Sequence, residues 1–167
     1  MKRVAIERVV PGPGQESVWD YPRPPRLERC AKLVQIHFGG VLLAESRSCW
    51  RVLETSHPPV YYLPPSDIRM EHLLPSERRS FCEWKGLASY YDVAAGGRRA
   101  PDAAWSYPEP TLSYKEIRDH VAFYPQAMER CLVDGEPARA QPGDFYGGWI
   151  TAEIVGPFKG GAGTAGW

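Results

Sequence analysis

The chain lacks any surplus of charge: twenty lysines and arginines stand against twenty aspartates and glutamates, a formal net charge of zero. No global field therefore steers it toward nucleic acid or an anionic membrane, and nucleic acid is not expected as a partner, although the Arg78-Arg79 and Arg98-Arg99 pairs could make local contacts. Long apolar runs are missing too. Nowhere do eighteen apolar residues follow one another, so no membrane span is expected. The opening MKRVAIERVV begins as basic as a secretion signal, but Glu7 and Arg8 interrupt the apolar stretch after Ile6 and no small-residue cleavage site follows. No signal peptide is read, and a cytoplasmic location is expected.

Cysteine is sparse. Cys30, Cys49, Cys82 and Cys131 are scattered without a CxxC pair, which argues against a disulfide framework or a zinc knuckle and leaves four free thiols. His37, His57, His72 and His120 stand at no recognised ligand spacing, so no metal is expected. Phosphate-binding and metal-binding signatures are absent as well: there is no G-x-x-x-x-G-K-[ST] loop, no Asp-x-Asp pair, and Lys159 precedes its glycines instead of following them.

What the chain does have is proline, glycine and aromatic residues in quantity: 17, 16 and 12% of 167 residues. That composition disfavours long helices and still supplies a packed core. The length suits a single domain over 1–167, with an extended arm over 1–30, a β core over 31–140 and a glycine-rich wrap over 141–167. In the arm, PGPGQESVWDYPRPPR places Trp19 and Tyr21 among five prolines, an extended segment with aromatic anchors. Lys32–Phe38 alternates, Gly39-Gly40 suits a primed hairpin turn, and Val41–Ser46 returns. Further strands are expected over Trp50–Thr55, Val60–Leu63, Phe81–Lys85, Ala88–Val93, Ala104–Tyr107, Val121–Tyr124, Met128–Val133 and Ile150–Val155. Ser56-His57-Pro58-Pro59 reads as a rigid loop, because paired prolines cannot donate to a ladder. A short helical turn is expected after Ser66 or Asp67, ending before Pro75. The capping box Ser113-Tyr114-Lys115-Glu116 predicts one short helix to about His120. Many short strands between turn signals point to a mainly β, antiparallel fold.

Several segments together resemble one family: RVLETSHPPVYYLPPSDI from Arg51, FCEWKGLASYYDV from Phe81, AAWSYPEP from Ala103 and HVAFYP from His120. The chain is similar to the family called domain of unknown function 427, and its arm VWDYPRPPRLE and tail FYGGWITAEIVGPFKGG resemble the longer subgroup. The resemblance implies a compact β domain like the β-tent (Mss4-like) group, which includes methionine sulfoxide reductase B and the ligand-binding domain of cereblon. Many members of that group hold zinc with two CxxC knuckles; this chain has neither, so no zinc is expected. The family has also been labelled nucleotidyltransferase-like, which makes such an enzyme a further alternative.

Four groups of residues bear on chemistry. Arg51, Glu54 and His57 share a strand and its following loop; a carboxylate beside an imidazole can orient it for acid-base work, and the bland alternative pairs Glu54 with Arg51. Lys85, beside Gly86, can hold an anion as a point charge. If Phe81–Lys85 is extended, Cys82 and Lys85 face opposite ways and cannot act together, which leaves Cys82 as a small buried hydrophobe. Trp105 and Tyr107, with Trp84 and one of Tyr61 or Tyr62, can wall a pocket or simply fill the core.

Two readings follow. In the first, the chain binds, and in one version converts, a small polar or anionic molecule. Arg51, Tyr62, Lys85, Trp105 and Tyr107 form its site, and Glu54 and His57 serve as acid-base groups. The second is a non-catalytic interaction or self-assembly module that uses the arm and tail to form a homo-oligomer. Convergence of Arg51, Glu54 and Lys85 on one concavity is the expected mark of the first; Trp19, Tyr21 and Trp167 on an apolar patch is that of the second.

Overall fold

The computed structural model describes residues 5–167. Residues 1–4, which begin the expected arm and the basic start read against a secretion signal, lie outside the described residues. Along the chain run β1 (Glu16–Ser17), β2 (Arg26–Cys30), β3 (Val34–Phe38), β4 (Val41–Ser46), β5 (Cys49–Leu53) and β6 (Val60–Tyr62). A long meander follows: β7 (Leu73–Cys82), β8 (Gly86–Ala95) and β9 (Arg98–Ser106). The chain then forms β10 (Val121–Phe123), β11 (Arg130–Val133), β12 (Glu136–Pro137), β13 (Arg139–Ala140), β14 (Trp149–Ile150) and β15 (Ile154–Val155). All helical segments among the described residues are 3-10 turns, the longest being Leu112–Ile117. The fold is mainly β, in several antiparallel sheets.

Three sheets make the body, in strand orders β10-β9-β8-β7, β12-β11-β3-β4 and β2-β5-β6. The first and third are stitched at Leu63 and Val121, whose backbones exchange two hydrogen bonds of 2.9 Å. Alternation places Val34, Ile36 and Phe38 inward, and they meet Leu43, Leu63, Val93, Val121, Phe123 and Trp149 in the main core. A second, aromatic core lies on the other face of the third sheet around Tyr62, Tyr90, Trp105, Tyr107 and Tyr124. Arm and tail close a third cluster of Val18, Tyr21, Leu53 and Ile154, with β1 pairing parallel to β15.

Besides the strand expected over Ile150–Val155, which is split by a turn into β14 and β15, two of the expected elements differ. The strand expected over Phe81–Lys85 is the end of β7, which stops at Cys82; Glu83, Trp84 and Lys85 form the hairpin turn into β8. β7 also begins before Pro75, where the expected helical turn was to have ended; two 3-10 turns, Pro65–Asp67 and Met70–His72, precede it. Proline is tolerated because β7 is an edge strand, and the register shifts between Pro75 and Arg79. The second difference is at Ser113. The 3-10 segment has its N-cap at Thr111 instead of Ser113, two residues earlier and without any side-chain cap bond, and ends at Ile117 instead of His120. Tertiary ties override the local signal: Thr111 Oγ1 donates to Trp84 O at 2.6 Å, and the buried Tyr114 hydroxyl donates to Pro25 O at 2.7 Å.

The Gly39-Gly40 turn joins β3 to β4 as the sequence predicts, with both residues at positive φ. It packs backbone to backbone on the Gly96-Gly97 turn between β8 and β9. A Cβ at Gly39 would lie 2.1 Å from Ala95 O, and one at Gly96 would lie 2.0 Å from Gly39 O. Two sheets are thus locked by mutual absence of side chains. Gly97, also left-handed, has open space around it. Gly97→Ala is expected to lower stability by about 1–2 kcal/mol, the left-handed penalty alone. Gly39→Ala adds a backbone clash and is expected to cost about 3 kcal/mol or more. Urea unfolding of both variants checks this; equal losses would show that the two turns do not constrain one another.

Candidate functional site

The loop after β5 carries Glu54 and His57, and its shape is set by the arm and tail wrapped over it. Thr55 N–H donates to Pro22 O at 3.3 Å, Ser56 N–H to Val18 O at 3.0 Å, and Lys159 N–H to Ser56 O at 2.9 Å. Ser56 is held at φ 72, a left-handed conformation unusual for a residue with a side chain, and His57 is presented inward from it. On the far side, the β7–β8 turn brings Lys85 back over the sheet. Its carbonyl accepts from Thr111 N–H at 3.0 Å, which fastens the turn to the segment after β9.

Between loop and turn lies a cavity of about 580 Å³. Tyr62, Trp105, Tyr107, Tyr90 and Tyr124 wall it, Glu54, His57, Cys82 and Lys85 line one part, and Gln141, Tyr146 and Lys159 of the C-terminal segment close another. The rings brace each other. Trp105 Nε1–H donates to Tyr62 Oη at 3.1 Å, Trp105 and Tyr124 lie 4.6 Å apart between centroids, and Tyr124 Oη–H donates to Phe145 O at 3.0 Å. The tail crosses so close that a Cβ at Gly147 would stand 2.3 Å from the Trp105 indole. Phe81 and Phe145, both more than half exposed, stand at the cavity edge.

Burial pushes the phenols of Tyr62, Tyr107 and Tyr124 above their usual range, so the walls stay uncharged. Lys85 is only 8% exposed, and no carboxylate forms a salt bridge with it among the described residues; its Nζ contacts Cys82 Sγ at 3.3 Å and lies 5.7 Å from the Tyr107 ring centre. Lys159 Nζ lies 5.7 Å from the Tyr146 ring centre and donates to Trp167 O at 3.1 Å. Glu83 also lines the cavity but is exposed at the tip of the turn.

One amide organises the histidine. Gln141 Oε1 accepts from Gly148 N–H at 3.1 Å, so its Nε2 is the donor to Lys159 O at 2.9 Å and to His57 Nδ1 at 3.0 Å. His57 Nδ1 is therefore an acceptor, the ring proton sits on Nε2, and that atom lies 3.4 Å from Glu54 Oε2. Both ring nitrogens are engaged, which leaves the imidazole to orient Glu54. Arg23 Nε also reaches Glu54 Oε2 at 3.4 Å, and Oε1 makes no hydrogen bond among the described residues. Burial alone would raise the Glu54 carboxyl, but His57, with Lys85 and Arg23 nearby, outweighs it and holds the group below the ordinary carboxylate range.

The structure brings Glu54, His57, Tyr62, Lys85, Trp105 and Tyr107 to this cavity and takes Arg51 elsewhere. Glu54 pairs with Arg23 and His57, not with Arg51. Arg51 points to the opposite face of β5, where Nη1 reaches Glu16 at 2.6 Å and Nη2 reaches Glu28 at 2.5 Å, in a separate polar hollow. Its neighbour Val52 faces the cavity, as strand alternation demands. The same alternation assigns Tyr62 to the cavity and Tyr61, opposite Arg51 in register, to the other side. The expected opposition of Cys82 and Lys85 fails because Lys85 belongs to a turn. Gln141, Tyr146, Lys159 and Tyr124 carry no spacing signal that sequence reading could use; only tertiary wrapping places them here. Among the described residues, no three His, Cys, Asp or Glu side chains cluster as metal ligands, and no helix is long and apolar enough to cross a membrane.

A carboxylate with a depressed folded pKa stabilises the fold above its ordinary value of 4.5, and that contribution disappears as pH falls through the folded value. Glu54→Gln is therefore expected to be less stable than the wild type at pH 7, with the gap closing on acidification below 4.5. Urea melts at several pH values test this, and a gap that widens under acid would contradict the arrangement. Gln141→Leu strips three hydrogen bonds, two of them fully buried, and is expected to cost about 2–4 kcal/mol, measured in the same way; a near-neutral effect would show that the amide does not organise the loop.

In comparisons with known proteins, none of the curated proteins matches the chain. A family model described as Domain of unknown function (DUF427) matches residues 26–134. That stretch holds Glu54, His57, Tyr62, Cys82, Lys85, Trp105, Tyr107 and Tyr124, while Gln141, Tyr146 and Lys159 follow it. Because the match spans well over half the chain, from β2 to the turn after β11, the chain belongs to the domain of unknown function 427 family.

Proposed function

We propose that the chain binds a small anionic molecule carrying a flat apolar part. Lys85 and Lys159 meet its negative charge, the Trp105, Tyr62 and Tyr107 walls take its apolar part, and Glu54 is available for proton transfer. The observation that carries this reading is the burial of Lys85 in an aromatic cavity without a carboxylate partner. An ammonium withdrawn from water loses several kcal/mol of solvation, on the order of what a buried ion pair returns. A site that keeps the charge buried and out of direct salt-bridge contact with any carboxylate of the described residues is thus suited to an incoming anion. His57 is better placed to steady Glu54 than to act as the base itself.

Self-association through arm and tail finds less support. Trp19 packs edge-on against Trp167 with centroids 5.4 Å apart, its Nε1–H donates to Pro157 O at 2.9 Å, and Tyr21 is buried. Those anchors are used within the chain. A nucleotidyltransferase reading has no acidic ligand cluster among the described residues to build on. A cytoplasmic location goes with the proposal: four thiols are free, including Cys30 and Cys49, which face each other across β2 and β5.

Titration with 8-anilinonaphthalene-1-sulfonate, an aromatic anion with a flat naphthalene ring, tests the reading through the probe's fluorescence. Saturable one-to-one binding is expected, weakened about tenfold by Lys85→Met, a loss of about 1.4 kcal/mol. Native mass spectrometry of the purified protein, compared with Lys85→Ala, is expected to show any co-purifying anion lost in the variant. Binding of the probe with equal affinity to wild type and Lys85→Met would overturn the proposal.

A further inference from the structure

The cavity holds a second chemical capacity, which shares Lys85 with the proposed anion site. Of the four cysteines, Cys30, Cys49 and Cys131 are buried in the body of the sheets, and burial pushes the Cys49 thiol up to about 12 and the Cys131 thiol higher still. Cys82 alone is partly exposed, and it alone lines the cavity. Among the described residues it is also the only one with a cation in contact: Lys85 Nζ stands 3.3 Å from its sulfur.

This contact is built by the turn. β7 ends at Cys82, and three turn residues reverse the chain before Gly86, which adopts φ 108 as it enters β8. The reversal folds the Lys85 side chain back over the strand end it has just left. Thr111 secures the turn from outside through its N–H to Lys85 O and its hydroxyl to Trp84 O. Lys85 is more than nine-tenths buried and has no carboxylate partner among the described residues, so its charge is directed at the sulfur and the cavity.

We propose that Cys82 and Lys85 form a nucleophilic thiol site that attacks soft carbon electrophiles entering the cavity, with a preference for electrophiles that carry an anionic group. The thiol proton leaves to solvent, the sulfur lone pair forms the S–C bond, and the leaving group departs with its electron pair. Lys85 stands beside the sulfur as negative charge develops there. It also attracts the anionic end of the incoming reagent.

Two alkylating probes of the same size test this, iodoacetate (anionic) and iodoacetamide (neutral), each releasing iodide. Peptide mapping of the folded wild-type chain after brief exposure is expected to find Cys82 modified before Cys30, Cys49 and Cys131. The ratio of the iodoacetate rate to the iodoacetamide rate at Cys82 is expected to fall about fivefold or more in Lys85→Met and to be retained in Lys85→Arg. Modification of another cysteine first, in the wild type alone, overturns the proposal even if Lys85→Met does not fold. An unchanged rate ratio in a folded Lys85→Met also overturns it. Neither probe needs the sulfonate, so loss of this chemistry and loss of sulfonate binding are separate results.

Discussion

The Gln141 side chain sits where three parts of the chain meet. Its oxygen takes the Gly148 N–H, and its nitrogen serves both the Lys159 carbonyl and the His57 ring. Because an amide has a donor end and an acceptor end, these bonds admit one orientation, and that orientation selects the histidine tautomer. The tautomer in turn directs an N–H toward Glu54. A residue outside the family match thus sets the protonation geometry of two residues inside it.

Around this point the arm and tail behave as a clamp. The loop from Glu54 to Pro59 receives backbone hydrogen bonds from or gives them to Val18, Pro22, Trp149 and Lys159. Such ties compensate the left-handed Ser56 and leave the prolines little freedom. The tail then continues over Trp105 at a distance that only glycine permits at position 147. Closing the cavity and fixing its loop are the work of the same few residues.

Charge is partitioned by the third sheet. On one face, Arg51 is enclosed by Glu16 and Glu28, which outweigh its burial and hold it firmly charged. On the other face, phenols and indoles surround a lysine that makes no salt bridge among the described residues, with the Glu54 carboxylate elsewhere in the same cavity. A saturated ion cluster serves structure, whereas an unsaturated cation in an apolar cavity is suited to a ligand or a reacting group. The two faces differ by one residue of strand register.

Much of this was legible in the residues themselves. Alternation and turn chemistry indicated the strands from Val34 to Ser46 and the Gly39-Gly40 hairpin, and the quoted segments carried the family. Glu54, His57, Lys85 and the aromatic residues could be nominated because their side-chain chemistry is local. Which of them meet was not legible. Arg51 and Glu54 are three apart in sequence yet face different hollows, since one lies on the strand and the other beyond its end. Cys82 and Lys85 meet only because the strand stops one residue after Phe81, where Thr111, distant in sequence, holds the turn. Residue type and short-range periodicity were determined by the sequence alone; strand ends, the long-range hydrogen bonds of Gln141 and the wrap of the tail were decided by tertiary packing, because their partners are brought together only when the whole chain closes.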